Sequence, residues 1–173
     1  MDYCSRPTVF TLSSIGLIHT PFRQSQGTPI QGAVSNDAEG TVELFSEFAA
    51  GFRDLAGFER LWLIYLLDRA SAPRLLVRPY LEDEERGVFS TRAPVRPNPI
   101  GLTAVRILSV EENRLLIAGV DMLDGTPLLD IKPYVPAFDC FEVKRTGWYQ
   151  DKSAQGALAD DRFEAKAQDI HQA

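Results

Sequence analysis

A succession of short, turn-bounded apolar segments constrains this chain more than any other feature. Leu12 to His19, Thr41 to Leu44, Arg60 to Leu67, Arg74 to Val77, Gly87 to Thr91, Ile100 to Val110, Arg114 to Val120 and Leu128 to Ile131 each have the length and residue types of a β-strand. Thr20-Pro21 closes the first of them, because proline has no N–H to give to a ladder. Glu111-Glu112-Asn113 links two of the segments as a hairpin. Only Phe45, Phe48, Ala49, Phe52 and Leu55 recur at helical spacing, with Gly57 placed to end the helix, and that stripe is expected to face the core. Many strands beside a single clear helix predict a mainly β fold, a barrel or a sandwich, and not alternating βαβ units.

The chain of 173 residues suits one domain, which at that size buries roughly 70% of the surface its unfolded form exposes. Residues 1–11 read as a poorly patterned leader, 12–148 as the folded domain, and 149–173 as a loose helical or flexible tail, rich in Ala, Asp, Gln and Lys with few large apolar groups. Cys4 and Cys140 are distant and belong to no Cys-x-x-Cys pair, as expected of free thiols in a reducing cytoplasm. The longest apolar run, Leu61 to Leu67, is strand-sized and far short of a bilayer span, so a soluble protein with no membrane partner is expected. Two isolated histidines and two distant cysteines make no metal-ligand set, and His19 reads as a hydrogen-bonded structural residue.

A formal net charge of −6 argues against non-specific adhesion to nucleic acid, since affinity for phosphates comes from accumulated Lys and Arg. Its distribution is uneven. Arg86, Arg92, Arg96 and Arg106 fall in a stretch without an acid, directly after the acidic block Glu82 to Glu85, which allows a local basic face.

Two segments are unusual in their own right. In Thr91 to Leu102, Pro94, Pro97 and Pro99 forbid a regular ladder and push Ala93, Arg96 and Asn98 toward extended backbone. Such a stretch either connects strands rigidly or presents Arg92, Arg96 and Asn98 to a ligand at little ordering cost. In Asp121 to Tyr134, Asp124-Gly125 signals a turn whose carboxylates and backbone groups can hold hydroxyl or amino groups. Asp130, Lys132 and Tyr134 follow at a strand end, as an ordinary surface ion pair or as part of a site. The polar loop from Phe22 to Gly40 is long enough to be kept for binding.

Arg92, the run Arg96 to Leu102 and the run Asp124 to Tyr134 resemble the signature blocks of TrmO-like enzymes, tRNA adenosine methyltransferases that act next to the anticodon. Ile15-Gly16 to Pro21-Phe22, Pro29 to Gly32, and Gly57-Phe58 to Trp62-Leu63 match too, so the likeness covers about residues 12–138. It implies a single-sheeted β-barrel of about seven strands, S-adenosylmethionine as methyl donor, tRNA as substrate, and a homodimer with the cofactor near the subunit interface. The commoner methyltransferase fold would show closely spaced glycines after its first strand, whereas no two glycines here are separated by a single residue. Longer family members carry a further C-terminal domain, so the chain is expected to be a short form.

On this resemblance Gln31, Gly32, Asp68, Arg69, Arg92, Leu102, Asp121, Leu123 and Asp124 are expected around the cofactor. Arg92 suits a carboxylate because its planar fork donates two parallel hydrogen bonds. Asn98 and Tyr134 are expected to orient and stack the acceptor, Arg96 and Lys132 to receive the carboxylate of a threonylcarbamoyl group, and Asp130 to take the proton. Two other readings remain open: a methyltransferase for a small metabolite, and a non-catalytic barrel that binds S-adenosylmethionine.

Overall fold

A computed structural model describes residues 8–35 and 37–165. Six strands close into an antiparallel barrel in the order β1-β2-β7-β6-β3-β8. They are β1 (Gly16–His19), β2 (Glu39–Leu44), β3 (Arg60–Leu66), β6 (Ile100–Glu111), β7 (Arg114–Ala118) and β8 (Thr126–Pro133). Closure comes from β8, which pairs with β3 on one side and β1 on the other. The remaining pair, β4 (Leu76–Val77) and β5 (Arg86–Gly87), forms a small ribbon outside the barrel. A mainly β barrel was the expectation; of the two further strands read from sequence, Arg74 to Val77 is a strand only over Leu76–Val77, and Gly87 to Thr91 is mostly the 3-10 turn Val88–Ser90.

Alternation along the strands fills the interior. Leu61, Leu63 and Tyr65 of β3 point inward together with Val105, Leu115, Ile117, Ile18, Val42 and Leu128, all buried. Each such aliphatic side chain contributes about 1.5–3 kcal/mol relative to exposure. A second cluster joins Val77, Val88, Ala93 and Val95 to Phe163, so the ribbon and the proline-rich stretch share a core with the end of the chain.

The helical stripe takes another form. Ser46–Phe52 and Leu55–Gly57 are 3-10 turns, separated at Asp54, whose φ is 65°. With three residues per turn Phe52 aligns with Ala49, not with Phe48. Phe52 is accordingly buried, whereas Phe45 and Phe48 stay exposed. The one α-helix among the described residues, α1, is the four-residue Pro136–Asp139.

Over residues 150–165 the chain is irregular but anchored. Residues 157–165 run as a strap between the loop at 25–30 and the segment at 69–71. The Ala159 N–H donates to Thr28 O at 2.7 Å, the Ser71 N–H to Phe163 O at 2.9 Å and the Ala165 N–H to Arg69 O at 3.1 Å. Residues 166–173 of the expected tail, and 1–7 of the expected leader, lie outside the described residues. No helix among the described residues is long and apolar enough to cross a membrane.

Candidate active site

Asp121 follows the end of β7, where Gly119 turns the chain at φ 90°. Its carboxylate receives donors from three separate elements: the Gly32 N–H at 2.6 Å, the Thr103 hydroxyl at 2.7 Å and the Tyr65 hydroxyl at 3.4 Å. The two hydroxyls lie 3.0 Å from one another. Tyr65 and Gly101 are register partners on β3 and β6, with Thr103 two residues along on the same face of β6.

Two glycines make this possible by absence of a side chain. A Cβ on Gly32 would fall 2.2 Å from Gly119 O, so only glycine brings its N–H to Asp121. A Cβ on Gly101 would fall 2.1 Å from the Tyr65 ring.

Burial pushes the Asp121 carboxyl upward in pKa, while the hydrogen bonds from Thr103, Gly32 and Tyr65 pull it back. Burial, followed by the Asp121 charge, pushes the Tyr65 phenol well above its ordinary range. By accessible surface Asp121 is only half-buried, because one side opens onto a cavity. The desolvation comes from the protein packed around its other sides. No lysine, arginine or histidine forms an ion pair with it among the described residues.

The cavity has a volume of about 340 Å³ and opens beside the strap. Gln31, Asp68, Arg69, Arg92, Leu102, Asp121 and Leu123, expected around the cofactor, all line it. Gly32 stands behind the wall and acts through its N–H. Asp124 is held just outside by its neighbours: its carbonyl receives the Arg69 guanidinium, and its carboxylate takes the Thr20 N–H at 3.2 Å and lies 3.4 Å from His19 Nδ1. Burial opposes ionisation of Asp124, but the Thr20 N–H and His19 prevail and its pKa is lowered. Arg92 donates to the Gln31 side-chain oxygen, which fixes an exposed guanidinium at the rim.

The residues expected on the substrate side are dispersed. Arg96 lines the cavity, yet its Nη1 donates to the carbonyls of Thr91 at 2.9 Å, Val88 at 3.2 Å and Ala93 at 3.3 Å, and so staples the proline-rich turn. Asp130 and Lys132 pair with one another at 2.8 Å on β8, and the Tyr134 ring packs on Trp62 at 5.4 Å. Asn98 is exposed. Sequence reasoning passed over Tyr65 and Thr103, whose only trace was a polar atom at an inward position of an apolar ladder. It also passed over Tyr80, Ala159 and Phe163, which line the cavity from segments that carry no motif.

A closed barrel with a half-buried acid, in no ion pair among the described residues and facing one cavity, defines a ligand-binding β-barrel domain, unlike the doubly wound nucleotide-binding folds. The chain belongs to the tRNA-methyltransferase O N-terminal domain family, whose model matches residues 17–140. It is 46% identical over 129 residues to the S-adenosyl-L-methionine-binding protein of Archaeoglobus fulgidus, covering 75% of this chain and 92% of the relative. It is 33% identical over 132 residues to the tRNA (adenine(37)-N6)-methyltransferase of Mus musculus, covering 72% of this chain and 31% of that protein. The crystal structure of TrmO from Pseudomonas aeruginosa superimposes with a TM-score of 0.69 at 37% identity, covering 82% of this chain and 63% of that one.

Proposed function

We propose that the protein is an S-adenosylmethionine-dependent methyltransferase that modifies the exocyclic nitrogen of an adenosine in tRNA, with the threonylcarbamoylated base as its acceptor. The observation that carries this reading is the Asp121 carboxylate, half-buried, in no ion pair among the described residues, and facing a cavity that it shares with Arg92. A ligand bearing positive charge completes such a site, and S-adenosylmethionine bears two positive groups, a carboxylate, ribose hydroxyls and a purine.

The residues present fit that group. Asp121 supplies the negative charge, Arg92 and Arg69 supply donors for a carboxylate, and Leu102 and Ile100 offer apolar surface for a purine face. When bound, S-adenosylmethionine supplies an electrophilic methyl group on a positively charged sulfur. The Gln31 side chain holds the Arg92 fork in place before any ligand arrives, which lowers the ordering cost of binding. The acceptor nitrogen, delocalised into a ring and a carbonyl, is a weak nucleophile, so alignment at about 3–3.5 Å is the main contribution asked of the protein.

The test combines calorimetry with methyl transfer to tRNA with and without the threonylcarbamoyl group. Arg92→Ala is expected to weaken S-adenosylmethionine binding about tenfold or more, the loss of a charge-assisted contact of about 1.5–3 kcal/mol, without lowering the melting temperature. Unchanged affinity in the folded variant removes Arg92 from the site. Binding without release of S-adenosylhomocysteine on any RNA overturns the enzymatic reading.

The reading includes a homodimer in the cytoplasm. Asn98, Asp130, Lys132 and Tyr134 do not line the cavity of their own subunit, and a second copy is the means by which they reach a reacting base. Exposed Phe138 and Phe141 supply apolar surface for such a contact. Cofactor affinity is then expected to fall as the protein is diluted into the monomer range. An affinity independent of oligomeric state, followed by calorimetry and sedimentation, counts against the dimer.

A further inference from the structure

A second cavity, of about 570 Å³, adjoins the first. Five aromatic side chains line it: Tyr80, Phe89, Trp148, Tyr149 and Phe163. They come from four separate segments, and the structure fixes most of them. The Trp148 indole N–H donates to Ser90 O at 2.7 Å, which ties the 3-10 turn Gly147–Tyr149 to the turn carrying Phe89. Tyr149 meets Trp148 edge-on at 5.7 Å, and Tyr80 meets Phe163 at 5.2 Å.

Phe89 is different. It is 76% exposed at the cavity, and its ring has an Arg96 guanidinium 5.9 Å from its centre. Arg96 is itself tied to three carbonyls of the same turn, so the platform that carries Phe89 is rigid. A large apolar ring left in solvent on a rigid mount is a stacking surface awaiting a partner.

The two cavities share a wall. Gln31, Thr91 and Arg92 line both, as do Tyr80 and Phe163. That wall places an amide, a hydroxyl and a guanidinium at the edge of an otherwise aromatic chamber. Aromatic faces with a few polar groups at one edge match a planar nitrogen heterocycle better than a lipid or an aliphatic side chain.

We propose that this second cavity receives the acceptor base, an adenine-type ring turned out of its RNA strand and stacked on Phe89. The proposal rests on the reading of the first cavity as the cofactor site. A methyl group passing between two ligands requires neighbouring chambers, and the partition around Arg92 is where they meet. The net negative charge of the chain is consistent with recognition of an extruded base by stacking, not by phosphate charge alone.

The chain has two tryptophans, so Trp62→Phe leaves Trp148 as the only indole reporter. In that background, loaded with S-adenosylhomocysteine, titrated adenosine is expected to change Trp148 emission saturably. Phe89→Ala should weaken the response about tenfold, while Phe89→Tyr should retain it. S-adenosylmethionine affinity by calorimetry should stay within about twofold in both variants, and kcat/KM on tRNA should fall about tenfold in Phe89→Ala alone.

A flat adenosine titration in protein that binds S-adenosylmethionine overturns the proposal. Equal loss of adenosine and S-adenosylmethionine binding in Phe89→Ala also overturns it, because the chamber then belongs to the cofactor. If S-adenosylmethionine itself fails to bind, the reading of the first cavity fails, and the Phe89-dependent response to adenosine decides this one.

Discussion

Asp121→Asn is expected to lower S-adenosylmethionine affinity by about 10- to 100-fold, because a charge-assisted hydrogen bond contributes about 1.5–3 kcal/mol. The substitution keeps the shape of the side chain, and the hydroxyls of Thr103 and Tyr65 can rotate to suit an amide. The loss therefore reports charge. The same variant should change the pH dependence of stability in the opposite sense. The folded pKa of Asp121 lies above its unfolded value, so as pH rises past the ordinary aspartate pKa of about 3.9 the unfolded chain loses its proton first.

Over that window Asp121 makes ligand-free protein less stable with rising pH, until the folded carboxyl also ionises. Asp124 and Asp160, whose pKa values are lowered, act in the other direction and lose their stabilisation as pH falls. They are common to both proteins, so subtracting the variant's profile from the parent's isolates Asp121. Urea denaturation across pH 4 to 8, with calorimetry on both proteins, measures both effects. Equal affinities, or superimposable stability profiles, would falsify the assignment of a charged Asp121 to ligand binding.

Gly101→Ala is expected to destabilise the barrel strongly, at about 3 kcal/mol. The added carbon would fall 2.1 Å from the Tyr65 ring. That ring is 5% exposed, and its hydroxyl is committed to Thr103 and Asp121, so it has nowhere to move. Stability and cofactor affinity should fall together, since displacing Tyr65 disturbs the support of Asp121. Adding Tyr65→Val to Gly101→Ala should recover part of the stability but not the affinity, the non-additivity expected of residues in contact. A denaturation midpoint for Gly101→Ala equal to that of the parent would show that β3 and β6 separate easily at this point.

The barrel was readable because the strands carry their own boundaries: prolines, an Asp-Gly turn and the acidic hairpin link. The site was readable only in part. Arg92, Gln31 and Asp121 sit in segments whose composition is unusual, and they converge. Asn98 and Tyr134 sit in equally unusual segments and do not line that cavity, because a motif records which residues are adjacent in sequence, not the side of the wall each one faces. Arg96 shows the same limit: three intramolecular carbonyls take its guanidinium, and sequence carries no record of such competition. Tyr65 and Thr103 were hidden for the opposite reason, since on an alternating strand an inward polar residue looks like a modest lapse in apolar character. The 3-10 turns at Ser46–Phe52 escaped because three-residue and 3.6-residue periods differ little over two turns.

The strap has a kinetic consequence. Barrel strands β6 and β7 join across a two-residue link, whereas the bridge between Pro29 and Leu158 closes a loop spanning most of the chain. Long closures form late, and they rest on few contacts, so they also open at lower free energy than the barrel beneath them. The strap is thus expected to form after the barrel and to open before it. Amide exchange at Ala159, Ser71 and Ala165 should run ahead of exchange in β3 and β6, and a bound ligand should slow it. Ligand exchange is then expected to follow the rate of partial unfastening of this strap, while the strands that define the fold stay shut.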